Sequence, residues 1–143
     1  MTALVVSGAS VLMVLGVVHG ALTLASKPTH GAFAATQADV QAAMQAPTGL
    51  GLAPDLDTTL WRAWIGFNLS HAVGLVVVAA AIMVPAVGDL DAATSQPLYL
   101  VLTLAVPAVY LVVSVRHWFA RPTRAIAVGS ALIAAGTLGS LLG

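Results

Sequence analysis

Four uninterrupted apolar runs, separated by stretches rich in proline, glycine or charge, organise this chain. They cover residues 3–25, 60–84, 97–115 and 123–142. Each reaches the length of about 20 residues, at about 1.5 Å rise per residue, that spans a bilayer core about 30 Å thick. The runs are continuous rather than alternating, which predicts helices and excludes the strand pattern of a membrane β-barrel. Local signals agree. Thr58 or Asp57 is placed to cap the second run and Pro85 to stop it. Pro97 stands at the first position of the third, and Arg121-Pro122 leads into the fourth. The expectation is an all-α, polytopic membrane protein of one domain, an antiparallel bundle of four transmembrane helices.

The connections differ in character. Residues 26–57 form a long loop punctuated by Pro28, Gly31, Pro47, Gly49, Gly51 and Pro54. Within it, Thr36-Gln37-Ala38-Asp39 resembles a capping box with Asp in the usual Glu place. This predicts a short amphipathic helix over 37–46, with Val40, Ala43 and Met44 on one side, lying at the interface or across the bundle mouth. Residues 86–96 read as a short acidic connection. Residues 117–122 make a tight turn, so the third and fourth helices are antiparallel neighbours. No internal repeat is present.

Composition adds the solvent. Of 143 residues, 59% are hydrophobic and 7% charged, with mean hydropathy +1.00. A soluble surface takes roughly 25% charged residues, so lipid must cover much of this chain. Net charge is zero, which supplies no field for nucleic acid. The absence of cysteine excludes disulfides, thiolate metal sites and thiol nucleophiles. The first run does not read as a signal peptide. Met1-Thr2-Ala3 has no basic residue, the run exceeds the usual apolar length of about 7–15, and Ala25-Ser26-Lys27 matches a cleavage site only loosely.

Charge then gives an orientation. Lys27, Arg62, Arg116, Arg121 and Arg124, every basic residue in the chain, fall at one end of the four runs, while the other end carries Asp89 and Asp91. Basic loops stay cytoplasmic. Loops 26–57 and 117–122 are therefore expected on the cytoplasmic side of a plasma (inner) membrane, with both termini outside. Trp61, Trp64 and Trp118 lie toward the same basic side, where amphipathic rings favour the interface.

Polar residues inside the runs localise any chemistry. Counted from the basic end, His19 lies about 9 Å in, Asn68 about 12 Å, His71 about 16 Å, Tyr110 about 8 Å and Ser130 about 10 Å. On the second helix Trp61, Trp64, Asn68, His71 and Leu75 share a face. On the third, Thr103, Pro107, Tyr110, Ser114 and His117 do, and on the fourth, Thr123, Ser130 and Thr137. Gly16 and Gly20 flank His19 in a G-x-x-x-G that lets another helix approach closely. Polar groups in such helices often serve only as interhelical glue worth about 0.6 kcal/mol each. That reading suits the serines and threonines best. Histidine in a membrane helix is rarer and faces a bundle interior.

The stretch Trp61-Arg62-Ala63-Trp64-Ile65-Gly66-Phe67-Asn68-Leu69-Ser70-His71, above all Gly-Phe-Asn-x-Ser-His, resembles the signature of a small bacterial family of four-helix integral membrane proteins. Gly16-Val17-Val18-His19 is similar to that family as well. The resemblance implies the four-helix architecture and no activity. It marks His19, Asn68 and His71 as the positions to watch.

Four functions remain open. The first is a pocket for a lipid or small hydrophobic molecule. His19, Asn68, His71 and Tyr110 would line it, with Trp64 and Phe67 as walls and Arg62 at an anionic headgroup. The second is a haem site using His19 and His71, against which their depth offset of about 7 Å counts. Two histidines alone make a poor zinc site. The third is an enzyme with His19 or His71 as general base, for which the runs hold no orienting carboxylate; Asp39, Asp55 and Asp57 lie in the long loop. The fourth is an accessory subunit or homodimer packing through Gly16, Gly20, Gly129, Gly136 and Gly139. No Asp, Glu or Lys lies inside the runs to carry ions.

Overall fold

The apolar runs become helices, two of which extend past their expected stops. The computed structural model describes residues 1–47 and 58–143, which hold five helices and no strand. They are α1 (Thr2–Ala25), α2 (Ala38–Gln45), α3 (Leu60–Thr94), α4 (Pro97–His117) and α5 (Ala120–Leu142). All but α2 are long and apolar enough to cross a membrane. The chain divides into two units, one of Met1–Gly16 with Gly74–Gly143, the other Val17–Val73.

In the first unit, close backbone approach joins α1 to α5. A Cβ on Gly8 would lie 2.5 Å from the Gly129 carbonyl oxygen, and one on Gly136 would lie 2.6 Å from Val5 Cγ2. The pairing of low α1 numbers with high α5 numbers makes the two helices antiparallel. Gly129 and Gly136 are thus spent on packing inside the chain rather than on a partner. Around them, Val5, Ala9, Leu12, Leu75, Ala79, Ile82, Ile126 and Ile133 form the core. Further hydrogen bonds join α4 to α5. Thr123 Oγ1 donates to the Ser114 carbonyl at 3.1 Å and Ser130 Oγ to the Pro107 carbonyl at 3.4 Å. The expected polar stripes on these helices are buried at Thr103, Pro107, Ser114, Ser130 and Thr137, whereas His117 is exposed.

Proline behaves differently from expectation. Pro85 does not stop the second span; α3 runs on past it to Gly88 and, beyond a break, to Thr94, through what reads as an acidic connection. Proline removes the backbone donor that would reach the carbonyl four residues back, that of Ala81. The Tyr99 hydroxyl donates to the carbonyl of Ile82, three residues before Pro85, at 2.9 Å in a buried position. Ala86, Leu90 and Ala93 then keep the apolar face buried. The break comes instead at Asp89, whose backbone is extended (φ −158°, ψ 102°) and whose carboxylate accepts the Ala92 N–H at 3.0 Å as an N-cap. In α4 a π turn, Val101–Ala105, precedes Pro107, where a widened turn makes room for the ring. The fourth span starts at Ala120 rather than 123, because Pro122 is tolerated within a first turn.

In the second unit, α1 ends at a compact turn. Ser26 Oγ donates to the Leu22 carbonyl at 2.8 Å and accepts the Phe33 N–H at 3.2 Å. Lys27 and His30 exchange two backbone hydrogen bonds, at 2.8 and 3.2 Å. Gly31 follows at φ 114°, where a Cβ would lie 2.7 Å from Ser26 Cα, so only glycine closes this turn. The short helix α2 forms within the expected stretch, but without the capping box. Gln37 is its N-cap and makes no side-chain cap, and α2 buries no residue. The cap of α3 is Thr59, whose hydroxyl accepts the Arg62 N–H at 3.2 Å, in place of Thr58. Asp57, the other expected cap, lies outside the described residues.

Candidate functional site

The polar cluster forms in the second unit from the last turns of α1, the first turns of α3 and the turn between α1 and α2. Asn68, 7% exposed, is its hinge. Its Nδ2 donates to the Trp64 carbonyl one turn back, at 2.8 Å, and its Oδ1 lies 3.1 Å from His19 Nε2. The His19 and His71 rings meet edge to face, with centroids 5.7 Å apart and an interplanar angle of 74°. On another side, Phe33 packs edge to face on His19 at 4.9 Å. Fully buried Thr23 donates to the His19 carbonyl at 2.8 Å. Gly20 lets the helices approach, since a Cβ there would lie 3.4 Å from Ala72 Cβ.

The depth offset expected to separate the histidines does not keep them apart. Side chains on a helix lean toward its N-terminus. In the antiparallel arrangement expected from the sequence, each helix leans its histidine toward its own start. His19 therefore leans deeper and His71 shallower, which closes the gap.

Of the six expected site residues, His19, Asn68 and His71 are brought together. Trp64 contributes its backbone carbonyl to Asn68, while its side chain is 41% exposed and Phe67 is 69% exposed. Arg62 is exposed in the first turn of α3, six residues before Asn68. Tyr110 belongs to the first unit, half-buried, its hydroxyl 3.5 Å from where a Gly74 Cβ would stand. Phe33 was not legible as a site residue. It is a lone aromatic in a loop, and its place depends on the Ser26 and Gly31 turn rather than on any periodicity.

The donor set bears on cofactors. Axial haem ligation by both histidines needs a nitrogen of each aimed at a shared iron between the rings. Here the rings touch edge to face and His19 Nε2 is engaged by Asn68, so the cluster does not fit a bis-histidine haem. No group of three or more His, Asp or Glu suited to a metal ion occurs among the described residues. Asp39 is exposed on α2, and Asp55 and Asp57 lie outside the described residues. Two clefts lie in the first unit. One, of about 460 Å³, is lined by Asp89, Asp91 and Ser140 among others; the other, of about 300 Å³, lies beside Pro85 and Tyr99.

Comparison with family models, with curated proteins and with solved structures gives no match to this chain. The cluster is therefore interpreted from its own residues.

Proposed function

We propose that this chain is an integral protein of a plasma (inner) membrane, an antiparallel four-helix bundle that binds a lipid or small lipid-soluble molecule at His19, Asn68 and His71. The observation that carries the reading is the His19–Asn68 hydrogen bond at 3.1 Å between two predominantly apolar helices, with the His71 ring against it. A bond serving only as glue needs one polar pair, and the second imidazole adds a costly group that such a role does not require. Lys27 and Arg62 stand on the same unit near its expected cytoplasmic edge, where they suit an anionic headgroup. Phe33 covers His19 from the loop. The basic ends face the cytoplasm, so the ligand enters from the inner leaflet.

Mass spectrometry of organic extracts tests this. Protein purified from native membranes carries a stoichiometric small molecule that His19→Ala and Asn68→Leu lose and His117→Ala retains. Equal extracts from all four proteins contradict it.

A second reading, an accessory subunit, draws on the exposed flank of Phe67, Val73 and Val77 on α3. The internal use of Gly129 and Gly136 removes part of its basis.

A further inference from the structure

The hydrogen bonds around Asn68 determine more than its position. An amide carries one accepting oxygen and one donating nitrogen. The Trp64 carbonyl only accepts, so the Asn68 atom 2.8 Å from it is the NH₂ group, and the amide cannot be flipped. Oδ1 is then the atom facing His19 Nε2 at 3.1 Å, and an oxygen without a proton requires an N–H opposite it. The neutral His19 ring thus carries its proton on Nε2. Its other nitrogen, Nδ1, holds the lone pair and has no hydrogen-bond partner among the described residues. The His19 carbonyl is engaged separately by Thr23, which anchors the backbone behind the ring. Phe33 and His71 pack on two sides of the imidazole and leave it few orientations.

We propose that Asn68 is a positioning residue that holds His19 in its Nε2–H form, so that the site takes a ligand bearing a hydrogen-bond donor, a hydroxyl or an amine, on Nδ1. The inference rests on the ligand-binding reading above, and it names the chemistry of that ligand. An ether, ester or hydrocarbon of the same shape offers Nδ1 nothing, and a purely accepting group meets its lone pair with repulsion. Trp64 enters through its carbonyl alone, so its side chain is free to vary without changing the tautomer.

Nitrogen NMR of the full chain in lipid nanodiscs, labelled with ¹⁵N-histidine, reads this directly. Signals of His19 are identified by their loss in His19→Gln. The expected result is a pyrrole-type Nε2 and a pyridine-type Nδ1 in the wild type, with mixed forms in Asn68→Leu. A pyridine-type Nε2 in the wild type overturns the positioning role, whether or not any variant folds. A lipid-soluble phenol and its methyl ether then serve as probes. The phenol should shift His19 Nδ1 and bind about tenfold more tightly than the ether, the scale of one hydrogen bond. Equal binding of the two, or no shift, overturns the donor-ligand assignment. In that event a retained Nε2–H signal shows that the ligand chemistry failed and not the reading of Asn68.

Discussion

At the scale of single residues, two contrasts separate packing from chemistry. Asn68 serves two elements at once, a carbonyl of its own helix and the ring of His19. Its replacement by Leu leaves His19 Nε2 unmatched and should cost about 1 kcal/mol, in line with interhelical hydrogen bonds in membranes. Reversible unfolding in mixed micelles measures this. Glycines offer the second contrast. A Cβ at Gly8 meets the Gly129 backbone at 2.5 Å, whereas one at Gly66 meets nothing within 4 Å. Gly8→Ala should therefore destabilise by about 1–3 kcal/mol through forced separation of α1 and α5. Gly66→Ala should be neutral or stabilise by up to about 1 kcal/mol through helix propensity. The same unfolding assay compares them. His19, Asn68 and His71 were legible from the sequence because polarity at membrane depth is costly and so conspicuous. Gly8 and Phe33 were not. A glycine's value depends on what lies opposite it, and Phe33 is placed by a turn whose geometry rests on Gly31.

At the scale of elements, the apolar runs indicate the number and order of the long helices and some of their ends, but not where the second and third stop or the fourth starts. The reason lies in how proline is compensated. Pro85 looks like a stop because it removes the donor to the Ala81 carbonyl, yet the helix runs on, and the Tyr99 hydroxyl, 17 residues from Ile82, braces the neighbouring Ile82 carbonyl. No local pattern around residue 85 contains that information. The account predicts coupling between the two positions. Tyr99→Phe alone should cost about 1 kcal/mol. In a Pro85→Ala background, where a straighter turn lets the Ala86 N–H meet the Ile82 carbonyl squarely, the same change should cost markedly less. A double-mutant cycle of unfolding free energies checks this, and strict additivity would contradict it. The π turn before Pro107 is a parallel case, in which the backbone itself absorbs the ring. Thr59 caps α3 where Thr58 or Asp57 is expected, since neighbouring threonines are indistinguishable until the helix register is known.

At the scale of the whole molecule, hydrophobic length and the one-sided distribution of charge carry the account. Four helices are long and apolar enough to cross a membrane, and large side chains such as Leu24, Val84, Val87 and Leu98 are exposed on them. In water these surfaces would drive aggregation; in lipid they are solvated. The crossing of a membrane, with Lys27, Arg62, Arg116, Arg121 and Arg124 on its cytoplasmic face, is the claim on which the ligand site and its inner-leaflet route depend. The chain has no cysteine, so single cysteines can be introduced without background. Labelling of Arg121→Cys and Ser95→Cys with a membrane-impermeant maleimide, in intact and permeabilised cells, tests it most directly. The account predicts that Ser95→Cys reacts in intact cells and Arg121→Cys only after permeabilisation. Reaction of both from the same side, or of Arg121→Cys alone in intact cells, would contradict it.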